Sequence, residues 1–142
     1  MNGKVEKHSC ININETRKCI ASLLERITPN TVIILNGEMG TGKTYICSQI
    51  ASHFGVKNFA SSSFQRVNQY TGKVNIVHCD FYRSQCDYDF FFLEVEPLLV
   101  EPWILLMEWF NLSKDLIDKD EIFEISLKHN GGSNRIIEVV QF

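Results

Sequence analysis

The sequence lacks several features that would assign a protein to a class at once. Its five cysteines are odd in number and form no C-x-x-C pair, so neither a disulfide framework nor a cysteine-rich zinc site is indicated. No apolar run approaches the roughly 20 residues of a membrane-spanning helix, and the first ten residues contain no apolar stretch typical of a signal peptide. We therefore expect a cytoplasmic protein with reduced thiols and no membrane partner.

An excess of positive charge is also missing. The chain has 14 lysines and arginines against 17 acidic residues, and only Arg17 and Lys18 are adjacent. Proteins that bind nucleic acid on their own usually carry a basic patch that neutralises phosphates. This chain is therefore not expected to bind nucleic acid by itself.

The length and the apolar content are those of one ordinary domain. With 142 residues, of which 44% are hydrophobic, the chain can bury a core, and we expect a single globular domain over residues 1–142. Residues 31–35 and 105–107 are apolar without alternation, which is typical of strands covered on both faces. Such strands predict an α/β fold with helices on both sides of a parallel sheet.

Two segments have the spacing of amphipathic helices. In the first, apolar residues lie three or four positions apart, at Ile20, Leu23, Leu24 and Ile27. Asn14 is expected to cap this helix at its start, and Pro29 to mark its end. The second helix follows the strand at residues 31–35, and its apolar residues in register are Ile46, Ile50 and Phe54.

Two further regions indicate hairpins or pairs of adjacent strands. Residues 64–70 and 73–82 flank a Thr-Gly pair, and residues 121–129 and 135–142 flank an Asn-Gly-Gly turn. These regions predict a mixed sheet with a parallel core and antiparallel hairpins. Three consecutive phenylalanines, Phe90–Phe92, cannot all face one core and are hard to place.

The strongest motif is LNGEMGTGKT at residues 35–44, which matches G-x-x-x-x-G-K-[ST]. A loop that wraps nucleotide phosphates must aim successive backbone N–H groups inward, which requires glycine at positions of positive φ or close approach. The expected binding residues are Gly37, Glu38, Met39, Gly40, Thr41, Gly42, Lys43 and Thr44. Lys43 would contact the β- and γ-phosphates, and the Thr44 hydroxyl would be a magnesium ligand.

The segments around this motif fit the same interpretation. A buried strand precedes the loop and a helix follows it, as in a P-loop NTPase-like three-layer sandwich. The alternative is a glycine turn before a helix with no bound phosphate.

Two acidic residues end apolar strands. A carboxylate in the position of Glu108 is costly to bury without a cation, so we expect Glu108 to act with magnesium, the alternative being an exposed residue at a strand terminus. Asp80 ends another apolar run in the same way. His78 shares a strand face with Asp80, and a third ligand such as Cys86 would make a metal site. Nothing supplies the rest of a zinc set, which favours a hydrogen-bonded His78, and Cys79 is expected in the core.

The motifs resemble, in their order, those of the TsaE family. Members of this family are small bacterial P-loop ATPases required for threonylcarbamoyladenosine modification of transfer RNA. The chain resembles this family over most of its length. The loop at residues 35–44 resembles the family's phosphate loop, and SSSF at 61–64 resembles its S-P-T-F segment. HCDFYR at 78–83 resembles its H-x-D-x-Y-R signature, and MEW at 107–109 resembles its E-W strand end.

The resemblance implies a magnesium-dependent ATPase. By position, Lys43 and Thr44 would hold ATP and Mg²⁺. Glu108 would be the Walker-B-like acid, and Asp80 would be the second acid needed for hydrolysis. Ser63 would take the place of the threonine that senses the γ-phosphate. The other residues that match family positions are Tyr82, Arg83 and Trp109, the last being equally explained as packing beside the site.

The resemblance also implies protein partners. Family members act on the TsaD and TsaB proteins of the threonylcarbamoyl transferase complex, so ATP hydrolysis would reset that complex and transfer RNA would be involved only indirectly. Two features depart from the family: Ser62 and Ser63 replace its Pro-Thr pair, and Phe90–Phe92 replace a glutamate-rich helix. These phenylalanines belong either to a diverged partner surface or to a core or loop.

Two other functions are compatible with the loop. A small-molecule kinase uses the same loop and magnesium acids, but it normally needs an acceptor pocket and a basic lid, for which 142 residues leave little room. A nucleotide-sensing module would bind ATP with negligible turnover, and the presence of both Asp80 and Glu108 argues against it.

Overall fold

The computed structural model describes residues 3–60, 65–83, 85–114, 117–119 and 121–142. The strands are β1 (Lys4–Cys10), β2 (Thr31–Gly37), β3 (Val67–Thr71), β4 (Asn75–Asp80), β5 (Trp103–Glu108), β6 (Glu121–His129) and β7 (Arg135–Gln141). The helices are α1 (Ile13–Leu24), α2 (Lys43–His53) and a short α3 (Tyr88–Phe90), which continues into a π-helical turn (Phe91–Val95) and a 3-10 turn (Glu96–Leu98).

The seven strands form one mixed sheet in the order β1-β7-β6-β2-β5-β4-β3. The four central strands β6, β2, β5 and β4 are parallel. Antiparallel partners flank them, with β3 beside β4 on one side and β7 and β1 beyond β6 on the other. The predicted parallel core and both predicted hairpins are thereby confirmed.

Strand β1 is the element that the sequence did not predict. Six of its seven residues are exposed or half-exposed, so it has no apolar pattern. It pairs with β7 along its whole length, from Lys4 opposite Gln141 to Cys10 opposite Arg135. Because backbone hydrogen bonds to a neighbour hold an edge strand, its side chains can be polar.

Helix α1 begins two residues earlier than the predicted cap implies. Asn12 has an extended backbone, and its side chain accepts a hydrogen bond of 2.9 Å from the Glu15 backbone N–H. Glu15 in turn accepts one of 3.2 Å from the Ile11 backbone N–H, which completes a reciprocal cap. The predicted cap at Asn14 is therefore wrong, because Asn14 already lies inside the helix. The helix ends at Leu24, before Pro29.

The central strands bury both of their faces. The first face packs against α1 and α2, and its central residues are Ile33, Leu35, Ile104 and Leu106. The second face packs against the helical turns of residues 88–98 and the loop after β5, and its central residues are Val32, Ile34, Leu105 and Met107. The predicted cover on both sides is present, and among the described residues it consists of short helical turns and a loop on the second face.

The three phenylalanines divide between core and surface, as their sequence predicted. Phe91 is buried in the second face, Phe90 is half-buried, and Phe92 is 50% exposed. Among the described residues, no helix has the length and apolar character needed to cross a membrane.

Candidate functional site

The glycine loop between β2 and α2 has the backbone that its motif predicted. Gly42, directly before α2, has φ 110°, a left-handed conformation that favours glycine. At Gly37, a Cβ would lie 2.7 Å from Thr41 Oγ1 and 2.8 Å from the Leu127 carbonyl oxygen. Gly42 is therefore required by its backbone conformation, and Gly37 by the close approach of Thr41 and Leu127.

Two polar residues stabilise the loop. The Thr41 hydroxyl donates a hydrogen bond of 2.7 Å to the Glu38 carbonyl oxygen across the turn. Arg135 at the start of β7 donates from Nε to the Thr41 carbonyl oxygen at 3.2 Å, and also contacts the carbonyl oxygens of Gly132 and Asn134 at 2.9 Å each. Sequence reasoning missed Arg135, because no motif marks a residue 94 positions away from its partner.

Lys43 lies at the centre of the site with its ammonium group buried. Its Nζ donates to the carbonyl oxygens of Gly37 and Glu38, and it lies 4.0 Å from the centre of the Trp109 ring. Burial lowers the pKa of Lys43, while the nearby carboxylates of Glu108 and Asp80 act in the opposite direction. The ammonium group is therefore held between backbone oxygens, an aromatic ring and two acids.

The two predicted acids lie side by side. Asp80 and Glu108 are directly paired at the ends of the parallel strands β4 and β5, and both side chains project on the first face, toward α2. Glu108 is 3% exposed, and its Oε2 lies 2.6 Å from His78 Nε2. Asp80 is half-buried and accepts a hydrogen bond of 3.0 Å from the Tyr82 backbone N–H. The alternative of an exposed Glu108 at a strand end is wrong.

His78 is completely buried and hydrogen-bonded, as favoured from the sequence. Its other ring nitrogen, Nδ1, has no hydrogen-bond partner, and neither has Asn68 Nδ2. Asn68 of β3 lies directly opposite His78 in the antiparallel ladder, so the two side chains share the first face. The ring of Phe59 packs edge-on against His78, with 5.3 Å between the ring centres.

A cysteine other than Cys86 lies near His78. Cys86 packs in the second face, so the sheet separates it from His78, which excludes Cys86 as a third ligand in the less favoured metal-site alternative. Cys47 of α2 instead lies with His78 and Glu108, and one donor atom of each falls within 4.8 Å of the others. Cys47 is four residues after Lys43 and therefore on the same side of α2, a spacing that could have identified it. Cys79 is fully buried in the second face, as predicted.

Trp109 combines an unusual backbone with a position above the lysine. Its φ is 58°, a left-handed conformation that is rare for a bulky residue and costs free energy. The ring also packs against Tyr82, with 5.0 Å between centres. With this backbone conformation, the ring lies over the Lys43 ammonium group. Arg83, which is exposed, follows Tyr82 in the segment at residues 78–83 that resembles the family signature.

The remaining predicted residues lie on the open side of the loop or outside the described part. Glu38, Gly40 and Thr44 are exposed, and Met39 is 67% exposed. The predicted phosphate sensor Ser63, with Ser62, lies outside the described residues.

A cleft of about 660 Å³ opens beside the loop on the second face of the sheet. Gly37, Glu38 and Trp109 line it at one end, and Lys7, Ser126, Lys128 and Glu138 line the sheet surface. Neither predicted acid lines this cleft. We therefore place the candidate site on the first face, where the lysine and both acids meet.

The chain is similar to proteins of one family. Residues 10–137 match the family described as "Threonylcarbamoyl adenosine biosynthesis protein TsaE". A protein of Rickettsia prowazekii named tRNA threonylcarbamoyladenosine biosynthesis protein TsaE is 30% identical over 135 residues, which are 93% of this chain and 92% of the relative. A protein of the same name from Borreliella burgdorferi is 29% identical over 110 residues, which are 76% and 80% of the two chains.

The fold is also similar to a solved structure. The crystal structure of YdiB from Bacillus subtilis superposes with a TM-score of 0.67 and 25% identity, covering 99% of this chain and 87% of that one. This similarity fits the predicted P-loop NTPase-like fold. The family match includes the glycine loop and the ends of β4 and β5. The chain therefore belongs to the TsaE family.

Proposed function

We propose that this protein is a cytoplasmic, Mg²⁺-dependent ATPase that serves the threonylcarbamoyladenosine modification of transfer RNA by acting on the TsaD and TsaB proteins. The names of the relatives support the pathway, and the partners are those that the family resemblance implies. The placement of Asp80 and Glu108 beside the phosphate loop is the observation that carries the proposed reaction.

The two acids are well placed for phosphoryl transfer. Neighbouring strands of a sheet lie roughly 5 Å apart, so directly paired carboxylates at two strand ends repel each other unless a cation lies near. The Lys43 ammonium group provides one positive charge, and both carboxylates influence its pKa. A glycine turn without phosphate chemistry would not need two acids at this position.

The residues of the site fit ATP and magnesium. A Cβ added at Gly42 would meet no atom within 4 Å, so space is open along that part of the loop, and the start of α2 favours an anion there. Thr44 on the first turn of α2 and the acids Asp80 and Glu108 would hold Mg²⁺. When bound, the ion would neutralise phosphate charge in the transition state.

The side chains of this chain have separate roles in the proposed reaction. Lys43 would exchange the carbonyl oxygens of the loop for phosphate oxygens, because an ammonium group binds the charged oxygens more strongly. His78 fixes the orientation of the Glu108 carboxylate through its 2.6 Å contact. Asp80 would orient the attacking water, and Ser63 would sense the γ-phosphate.

ATP hydrolysis and transfer-RNA modification should be measured together. Purified protein is assayed with MgATP, with and without TsaD and TsaB, and the transfer-RNA nucleosides are analysed by mass spectrometry. The variants are Asp80→Ala and, as a matched control, Asp89→Ala, which removes an exposed carboxylate of α3. We expect Asp80→Ala to bind ATP but to lose both turnover and support of modification, while Asp89→Ala retains them.

Three outcomes would contradict the proposal. Phosphorylation of a nucleoside would indicate a kinase, and ATP binding with no turnover even when TsaD and TsaB are present would indicate a nucleotide-sensing module. Normal modification in cells whose only copy carries Asp80→Ala would separate the protein's role from hydrolysis.

A further inference from the structure

We propose that Cys47, His78 and Glu108 form a second cation site, selective for Zn²⁺ and similar soft or borderline ions, and that its occupation inhibits ATP turnover. The binding part of this inference stands on the three side chains alone. The inhibitory part rests on the proposed function, because it requires Glu108 to act with magnesium.

The three side chains converge from different elements. Cys47 comes from α2, His78 from β4 and Glu108 from β5, and their donor atoms lie within 4.8 Å of one another. Cys47 and His78 are fully buried, and Glu108 is 3% exposed. Bond lengths of about 2.0–2.3 Å to a tetrahedral zinc ion separate its ligand atoms by roughly 3.5 Å. Small rotations of the side chains would therefore bring the three atoms into coordination.

The chemical types of the three donor atoms favour zinc over magnesium. Thiolate, imidazole and carboxylate are the usual ligands of zinc, whereas magnesium prefers oxygen ligands and keeps several waters. Cys47 and His78 would therefore attract zinc without improving the site for magnesium. Three protein ligands also leave a fourth position open for water.

Charge balance makes burial of the ion feasible. As the metal–sulfur bond forms, the Cys47 thiol releases its proton to solvent, so the thiolate and the Glu108 carboxylate together neutralise a divalent ion while His78 stays neutral. Among the described residues, Asp80 and Lys43 also act electrostatically on Cys47, and their opposite charges offset each other. A neutral cluster avoids the large cost of an isolated buried charge.

The surroundings of His78 favour coordination as well. A histidine that binds metal through Nε2 carries its proton on Nδ1, which then needs an acceptor. His78 Nδ1 is buried without a partner, and Asn68, directly opposite, has an unpartnered amide nitrogen. A 180° turn of the Asn68 amide would present its oxygen as that acceptor.

Coordination would remove Glu108 from its proposed role. The 2.6 Å contact between Glu108 and His78 would open, and the carboxylate would turn toward the new ion. Magnesium would lose one ligand at the end of β5. Zinc would therefore inhibit turnover even with magnesium in excess.

The test uses cobalt as a spectroscopic substitute for zinc. Co²⁺ is titrated into the full-length protein under a phosphine reductant, and thiolate coordination is followed by the charge-transfer band in the near ultraviolet. The variants are Cys47→Ser, which removes the thiolate at nearly constant volume, and Cys19→Ser, which removes a half-buried thiol of α1 near Cys10. Circular dichroism checks folding, and Cys47→Ala serves if the serine variant does not fold.

We expect wild type and Cys19→Ser to show the same band, and Cys47→Ser to bind Co²⁺ at least 10-fold more weakly. Excess Zn²⁺ should remove the band. Absence of the band in folded wild type, or an unchanged band in Cys47→Ser, would overturn the proposed site.

Zn²⁺ inhibition of MgATP hydrolysis is then compared in wild type and Cys47→Ser. Inhibition that is at least 10-fold weaker in the variant supports the inference, and equal inhibition overturns its inhibitory part. Cobalt binding does not depend on hydrolysis. A wild-type protein that binds Co²⁺ through Cys47 but never hydrolyses ATP would therefore refute the proposed function while the cation site stands.

Discussion

At their carboxyl ends, strands β4 and β5 carry polar residues on one face and apolar residues on the other. The first face, toward α2, carries the polar residues His78, Asp80 and Glu108. The second face carries the apolar residues Val77, Cys79 and Met107, which pack beneath the aromatic turns of residues 88–98. The ends of these two strands therefore contribute to the candidate site with one set of residues and to the core with the alternate set.

This difference depends on the register of the strands. Side chains alternate with a period of two, so a shift of one residue would exchange the faces of a whole strand. The pairing of Asp80 with Glu108 places both acids beside the loop. The two faces should therefore respond differently to substitution, with loss of chemistry on the first and loss of stability on the second.

The largest effect is expected from Glu108→Gln on the first face. The change keeps the shape of the side chain but removes its charge, so ATP turnover should fall by roughly 100- to 1,000-fold, measured at saturating MgATP. Met107→Leu, one residue away on the second face, is the control and should retain turnover. A glutamine variant within a few-fold of wild type would contradict the proposed role of Glu108.

Lys43→Ala should weaken nucleotide binding next most strongly. The ammonium group is the buried positive charge of the loop, and its loss should lower ATP affinity by about 100-fold, or ~2.7 kcal/mol, measured by calorimetric titration. Lys57→Ala removes an exposed lysine beyond α2 and should bind normally. Equal affinities for the two variants would refute phosphate binding by Lys43.

Met107→Ala tests the second face. Met107 is fully buried, so truncation should lower the free energy of unfolding by about 2–4 kcal/mol, measured by urea denaturation. Turnover per folded molecule should stay close to wild type. Phe92→Ala, at a half-exposed position, should cost less than about 1 kcal/mol. A large loss of turnover in folded Met107→Ala would show that the two faces are coupled.

A smaller effect is expected from Arg135→Ala. This side chain contacts the carbonyl oxygens of Thr41, Gly132 and Asn134, and only the first belongs to the glycine loop. Loss of one loop contact worth about 1 kcal/mol should weaken ATP binding by roughly fivefold. Arg17→Ala removes an equal charge from an exposed position of α1 and should leave affinity unchanged.

The smallest expected effect is a loss of folding stability at alkaline pH, to which buried cysteines on both sides of the sheet should contribute. Burial raises the pKa of Cys19, which packs beside the first face, to about 11, and it also raises the pKa of Cys79 in the second face. Above about pH 9 the unfolded chain loses its thiol protons first, so the free energy of unfolding should fall as pH rises toward 11. Urea denaturation of Cys19→Ser should show a weaker decline than wild type. An equal decline of the unfolding free energy in both proteins would show that groups other than Cys19 cause the loss of stability.

Local patterns predicted most of the sheet. Residues 31–35 and 105–107 could be recognised as covered strands because they are apolar on both faces, and the alternation in residues 121–129 identified β6. Strand β1 was missed because an edge strand needs only a backbone partner, and that partner, β7, lies at the other end of the sequence. The Asn14 cap was wrong because an earlier asparagine, Asn12, was free to cap the same helix.

The candidate site was predicted in part. The burial of Glu108 was expected from its position at the end of an apolar strand, and the hydrogen-bonded His78 was favoured because the sequence supplies no further zinc ligands. The position of Cys47 beside His78 was missed, since the distance between a helix residue and a strand residue depends on how the helix docks. The roles of these residues in hydrolysis stay predictions.

The sequence by itself determined the glycine loop between β2 and α2, because its glycines are needed by local backbone conformations of positive φ. It also determined that two acids end buried strands. Only the tertiary structure decided that Asp80 and Glu108 are adjacent, that His78 binds Glu108, and that Cys47 lies beside them. Such contacts join residues about 30 positions apart or more, and they arise from strand register and helix packing, which no short stretch of sequence encodes.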